Sequence, residues 1–145
     1  MQIYSFSPFG YEGSLVTVEI DLRRGIPAVD IVGLADGAVK ESRERMQAAI
    51  RNSGFDFPPE RVLISLSPAD LKKEGASFDL AIACALLGAS GQLKLDKMRR
   101  TAILGELALD GSIRPVKGAL PVADCIAKNT QLRALLVPKE NAPEA

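Results

Sequence analysis

Apolar residues recur along this chain with two different periods. Val16, Val18, Ile20 and Leu22 alternate with Thr17, Glu19 and Asp21. Side chains of a strand point to opposite faces in turn, so this stretch reads as a half-buried strand. Residues 29–32 and 61–66 read as further strands, and Pro27 suits a strand start or a sheet edge. With Arg23-Arg24-Gly25 as a turn, the first elements look like consecutive antiparallel strands. In between, Val39, Met46, Ala49 and Ile50 can share one face, while Lys40, Glu41, Arg43, Glu44, Arg45 and Arg51 are mostly outward. That spacing predicts a helix over about 37–52, with Asp36 as its N-cap and Gly54 just past its end.

Residues 80–89 follow neither pattern, because they have no polar face at all. Ala and Leu favour helix, and a helix that is apolar all round in a soluble chain sits inside. Its entry is marked by Gly75, by Ser77 as an N-cap and by Asp79 in the first turn, near the positive end of the helix dipole. Residues 94–100 form a charged connection after it. Residues 103–109 and 112–116 flank Asp110-Gly111, the strongest hairpin signal in the chain. A third helix is expected from Leu120, with Pro121 in its first turn and Val122, Cys125 and Ile126 on its apolar face. Residues 132–137 read as a last strand. Strands first, then helices interleaved with strands, predict an α+β sandwich with one or two helices on a mixed sheet.

Composition narrows the chemistry. The chain has 145 residues, 47% of them hydrophobic and 25% charged, which describes one globular domain. Eighteen basic residues balance 18 acidic ones, so no overall basic field advertises nucleic acid, although a local basic face is compatible with this. There is no histidine, which excludes Ser-His-Asp and Cys-His nucleophiles and any His-containing metal site within the chain. Cys84 and Cys125 form no Cys-x-x-Cys and are expected to be reduced and buried. No signal peptide is visible, and no apolar run reaches the roughly 20 residues a membrane span needs. A cytoplasmic location is expected.

Two chemical motifs weaken on inspection. Residues 33–42 carry the ingredients of a phosphate loop, but Gly-Lys-Ser/Thr is not contiguous and Asp36 would set a negative charge among phosphate oxygens. A capped helix start explains the stretch. Residues 73–77, ahead of an Ala-rich helix, together with residues 104–118 resemble the proteolytic domain of the Lon peptidases. On that resemblance Ser77 falls on the nucleophile and Leu120 where the activating lysine belongs. A serine needs an adjacent base, and leucine cannot take its proton. Lys117 or Lys73 would have to enter from elsewhere, so Ser77 is read as a helix cap and no catalytic residue is assigned.

A longer resemblance covers about residues 1–138. Residues 69–80, the Gly105-Glu106-Leu107-Ala108-Leu109-Asp110-Gly111 segment, Ser7-Pro8-Phe9-Gly10, Val32-Gly33-Leu34-Ala35-Asp36 and residues 40–45 are similar to the bacterial Mg-chelatase-like AAA+ ATPases, a family with competence proteins among its members. One departure is Ala81, where the family usually has proline. The resemblance implies an α+β, Lon-protease-like (ribosomal protein S5 domain 2-like) N-terminal domain over 1–138. Residues 139–145 would then begin a linker to an AAA+ module absent from this chain. It further implies ATP and Mg for the full-length protein and no cofactor or metal in this chain. The implied partners are other copies in a hexameric ring and single-stranded or branched DNA, with no membrane. The implied activity of the whole is DNA branch migration during natural transformation.

The chain is therefore expected to be a non-catalytic scaffold that guides DNA. The alternatives are a Ser-Lys peptidase and a protein-interaction module of a chelatase-type complex without DNA contact. Two basic groups are candidates for DNA. Lys94, Lys97, Arg99 and Arg100 lie in the connection after the apolar helix, with only Asp96 nearby, and are preferred. Lys40, Arg43, Arg45 and Arg51 lie on the first helix, interleaved with Glu41 and Glu44 at pairing distance.

Overall fold

The computed structural model describes residues 2–7, 14–33, 36–67, 78–93, 101–114 and 134–136. Alternation builds its central layer. β1 (Gln2–Ser7) and β2 (Ser14–Arg23) pair antiparallel, from Gln2 opposite Glu19 to Ser7 opposite Ser14. β2 pairs on its other side with β4 (Arg61–Ser67), again antiparallel, from Arg23 opposite Arg61 to Thr17 opposite Ser67. β3 (Ala28–Val32) lies parallel to β4, and β5 (Thr101–Ile103) lies parallel to β1 and to β8 (Ala134–Leu136). The six-stranded order is β3-β4-β2-β1-β5-β8. Ile3, Val16, Val18, Ile20, Val29, Ile31, Val62, Ile64 and Leu66 are buried on one face, and the intervening residues turn the other way.

That apolar face is covered by two helices. α1 (Asp36–Asn52) buries Met46, Ala49 and Ile50, and α2 (Asp79–Ala89) buries Ala81, Ile82, Ala83, Ala85, Leu86 and Leu87. α2 packs against β1, β2 and β5 of the sheet and against α1. Its lack of a polar face follows from that position, since packing against the sheet and α1 leaves only Leu80, Cys84, Gly88 and Ala89 partly exposed.

Three expectations are corrected here. β3 is not the antiparallel neighbour of β2. The chain leaves β3 through α1 and returns as β4, which inserts between β2 and β3. Alternation within a strand reports which face is buried but not which strand lies alongside. Residues 103–109 are likewise not one strand. Ile103 ends β5 in the main sheet, and β6 (Glu106–Leu107) starts a separate two-stranded sheet with β7 (Ile113–Arg114). The break falls at Gly105, whose carbonyl accepts the Leu80 N–H at 3.1 Å. A Cβ there would lie 3.0–3.1 Å from the side chains of Leu80 and Ile113, so glycine permits the close approach.

The Asp110-Gly111 turn forms as expected. The Asp110 carboxylate accepts the Ser112 N–H at 2.9 Å and its hydroxyl at 2.7 Å, and Gly111 adopts φ +91°. The third correction is the start of α2. Phe78 precedes the helix without any side-chain capping bond, and Ser77 lies outside the described residues. The expected third helix near Leu120 also lies outside them.

Candidate functional site at the start of the central helix

Asp79 occupies the first turn of α2, as the sequence suggests, but its side chain is fully buried. A carboxylate taken out of water needs partners for its lone pairs. Arg45 Nε donates to Oδ2 at 2.7 Å and its Nη2 to Oδ1 at 3.2 Å. Ser42 Oγ donates to Oδ1 at 3.3 Å, and the Leu107 N–H to Oδ2 at 3.4 Å. The cluster joins α1, α2 and the β6–β7 sheet through one carboxylate.

Burial pushes the Asp79 carboxyl above the usual carboxylate range, while Arg45, the Leu107 N–H and Ser42 pull against that rise. The hydrogen bond to Asp79 raises the Arg45 guanidinium, with smaller contributions from Glu106 and Glu41. Glu41 lies 3.9 Å from Arg45 across one helical turn, the i,i+4 pairing expected of this helix. Both Asp79 oxygens are occupied by donors, which suits a structural clamp better than a proton acceptor. Among the described residues no group of three His, Cys, Asp or Glu side chains converges.

Of the three α1 arginines considered for DNA, Arg45 and Arg43 face other tasks. Arg45 is committed to Asp79, and Arg43 Nη1 donates to the Val29 carbonyl of β3 at 3.3 Å. They point to different neighbours and do not form one basic face. Lys94, Lys97, Arg99, Arg100, Ser77 and Leu120 lie outside the described residues. The Asp79–Arg45 pair was not anticipated, although a signal existed: an acid opening a helix with no polar face has to find a counter-charge inside.

Beside the clamp, an apolar cleft of about 210 Å³ opens between α1, α2 and the β6–β7 sheet. Ile50, Leu80, Leu87, Leu107 and Ile113 line it, with Cys84 among them. Cys84 is thus half-buried at a cleft wall, where full burial was expected. Burial still raises its thiol to about 11. Labelling by a thiol reagent at neutral pH should be at least about tenfold slower than for a free cysteine, because little thiolate forms. The rate should climb as pH approaches 11. Peptide mass spectrometry can follow Cys84 separately from Cys125, and labelling at the free-thiol rate would contradict this placement.

A mixed sheet with its described helices on one face, and the central helix packed against both sheet and α1, defines a Lon-protease-like α+β domain. Within that class the chain belongs to the family of subunit ChlI of Mg-chelatase, whose model matches residues 18–141. It is 40% identical over 143 residues to competence protein ComM of Haemophilus influenzae, covering 99% of this chain and 28% of that protein. It is 41% identical over 142 residues to protein YifB of Escherichia coli, covering 98% of this chain and 28% of that protein. Lon protease of Lachnoclostridium phytofermentans is 26% identical over 139 residues, covering 91% of this chain and 17% of that protein. The chain thus spans 28% of the length of ComM and YifB. No helix among the described residues is long and apolar enough to cross a membrane.

Proposed function

We propose that this chain is the non-catalytic, Lon-like N-terminal domain of a cytoplasmic, hexameric AAA+ ATPase that remodels branched DNA, and that it guides single-stranded or branched DNA relative to the motor. The observation that carries this reading is 40% identity to a competence protein across 99% of the chain, together with the ChlI family match. Residues 1–138 form the domain, and 139–145 begin the linker to the AAA+ module. Leu120 at the Lon lysine position supports a scaffold without peptidase chemistry, since Ser77 then has no base in the expected place. ATP and Mg belong to the AAA+ module on this reading. Residues 33–42 lack a contiguous Gly-Lys-Ser/Thr and offer no phosphate loop.

The test is fluorescence anisotropy of single-stranded and forked DNA against the chain over a salt series. Binding should be weak and salt-dependent, because few phosphates are neutralised by one domain. Changing Lys97, Arg99 and Arg100 together to alanine should lower both the affinity and the salt slope. If neither moves, the 94–100 connection does not touch DNA. If the unaltered chain binds no DNA at low salt, the domain is a protein-facing scaffold.

A further inference from the structure

Arginines far apart in the sequence meet at one end of the sheet. β2 ends and β4 begins with Arg23 opposite Arg61, and Arg24 follows in the turn. On the open face of the sheet, Arg23, Arg24 and Arg61 line a cleft of about 240 Å³ with Asp30. On the helix side, Arg43, Gln47 and Arg51 of α1 line a second cleft of about 570 Å³ with Phe57 and Glu60. The two clefts flank the same strand pair, since Val29 and Glu60 line one while their chain neighbours Asp30 and Arg61 line the other.

Charge is unbalanced there in a chain that is neutral as a whole. Five arginines face Asp30 and Glu60 in the cleft walls and Asp21 beside Arg23, leaving two positive charges in excess. Arg23 pairs with Asp21 at 2.6 Å and Arg61 with Asp30 at 3.6 Å, all four side chains being more than half exposed. Exposed pairs of this kind contribute little, so either guanidinium can exchange its carboxylate for a phosphate. Arg24 and Arg51 are exposed and have no ion-pair partner among the described residues. The larger cleft is of ligand-site size, within the range of roughly 300–1,000 Å³. Phe57, partly buried against the hydrophobic core, lines it as well, and an aromatic side chain can stack with any base regardless of sequence.

We propose that this end of the β3–β4 pair binds single-stranded nucleic acid, an unstacked base entering the Phe57 cleft and adjoining phosphates resting on Arg24 and Arg51. The proposal rests on the reading that the domain meets DNA, and it names a surface apart from residues 94–100 that draws Arg43 and Arg51 from the first-helix group. A duplex keeps its bases stacked inside and cannot deliver one to the cleft. Spreading over both sides of the strand pair suits an extended polyanion better than one isolated phosphate.

The experiment uses fluorescein-labelled oligothymidine and a labelled duplex of equal length, titrated with the chain over a salt series. Single strands should bind more tightly than duplex. Arg24→Ala with Arg51→Ala should weaken binding at least about tenfold and reduce the log–log salt slope by about 1.4, from two lost contacts at roughly 0.7 each. Phe57→Leu should weaken binding severalfold with the slope unchanged, because it removes a stacking face and no charge. Unchanged thermal unfolding of the double-arginine variant, whose altered side chains are exposed, separates lost binding from lost folding. If the unaltered chain binds no oligonucleotide, this proposal and the DNA reading fall together. If it binds but the double-arginine variant keeps affinity and slope, only this surface is wrong. Equal or tighter binding of duplex overturns base entry. Competition by polyglutamate as effective, charge for charge, as by oligothymidine assigns the surface to an acidic protein and overturns the proposal.

Discussion

Arg45→Ala should lower the unfolding free energy by about 3 kcal/mol at neutral pH, the lower end of what breaking a buried ion pair costs. The lower end applies because Arg45 keeps 21% of its side chain exposed, so the pair is partly solvated from one side. Asp79 has no such relief. Without the guanidinium it remains fully buried, with only the Ser42 hydroxyl and the Leu107 N–H as donors. Its carboxyl, already raised by burial, loses the strongest influence pulling it down and rises further.

The sign of the pH dependence follows from that rise. A folded state whose carboxyl has a raised pKa binds the proton more tightly than the unfolded chain, where Asp titrates near about 3.9. The contribution of Asp79 to stability is therefore greatest below the unfolded value and falls as pH climbs through the folded one. The loss in Arg45→Ala should be small near pH 4 and fully developed once Asp79 ionises. Urea unfolding across this range measures it. Adding Asp79→Asn should recover part of the loss by removing the stranded charge. A deficit that stays constant down to acid pH would mean that lost packing, and not the uncompensated carboxylate, sets the cost.

Leu86→Ala should cost about 2–5 kcal/mol. Leu86 is fully buried in a helix that packs against both the sheet and α1, so the walls of the resulting cavity are set by several elements and cannot collapse freely. Leu86→Met, which conserves volume, should cost less than about 1.5 kcal/mol. Leu109→Ala is the control, because Leu109 is 59% exposed and its truncation should stay within about 0.5 kcal/mol. Denaturant midpoints at constant slope give all three. A Leu86→Ala loss no larger than that of Leu109→Ala would mean that α2 is not the centre of the core.

Local patterning carried most of the elements. The alternation of Val16, Val18, Ile20 and Leu22, the stripe of Met46, Ala49 and Ile50, and the apolar run from Leu80 each reflect a face buried by that element, and burial leaves its period in the residues. The Asp110-Gly111 turn was legible for a similar reason, since its hydrogen bonds and positive φ involve residues close in the chain. Family membership was legible as well, because the motifs that carry it are contiguous stretches.

What the sequence could determine by itself is which residues form each element and which of their faces turn inward, because both depend on neighbours within one or two turns. Only the tertiary structure decided what lies alongside. It set β4 between β2 and β3, since a crossover through α1 leaves no mark on either strand's own alternation. It divided residues 103–107 between two sheets at Gly105, where the approach of Leu80 and Ile113 requires an absent side chain. It turned Arg45 from a surface cation into the partner of an aspartate 34 residues away. It also gathered Arg23, Arg24 and Arg61 with Arg43 and Arg51 around one strand pair. Charge pairing and cleft formation act between side chains that the fold brings together through space, and a residue's position along the chain does not reveal which partner it will meet.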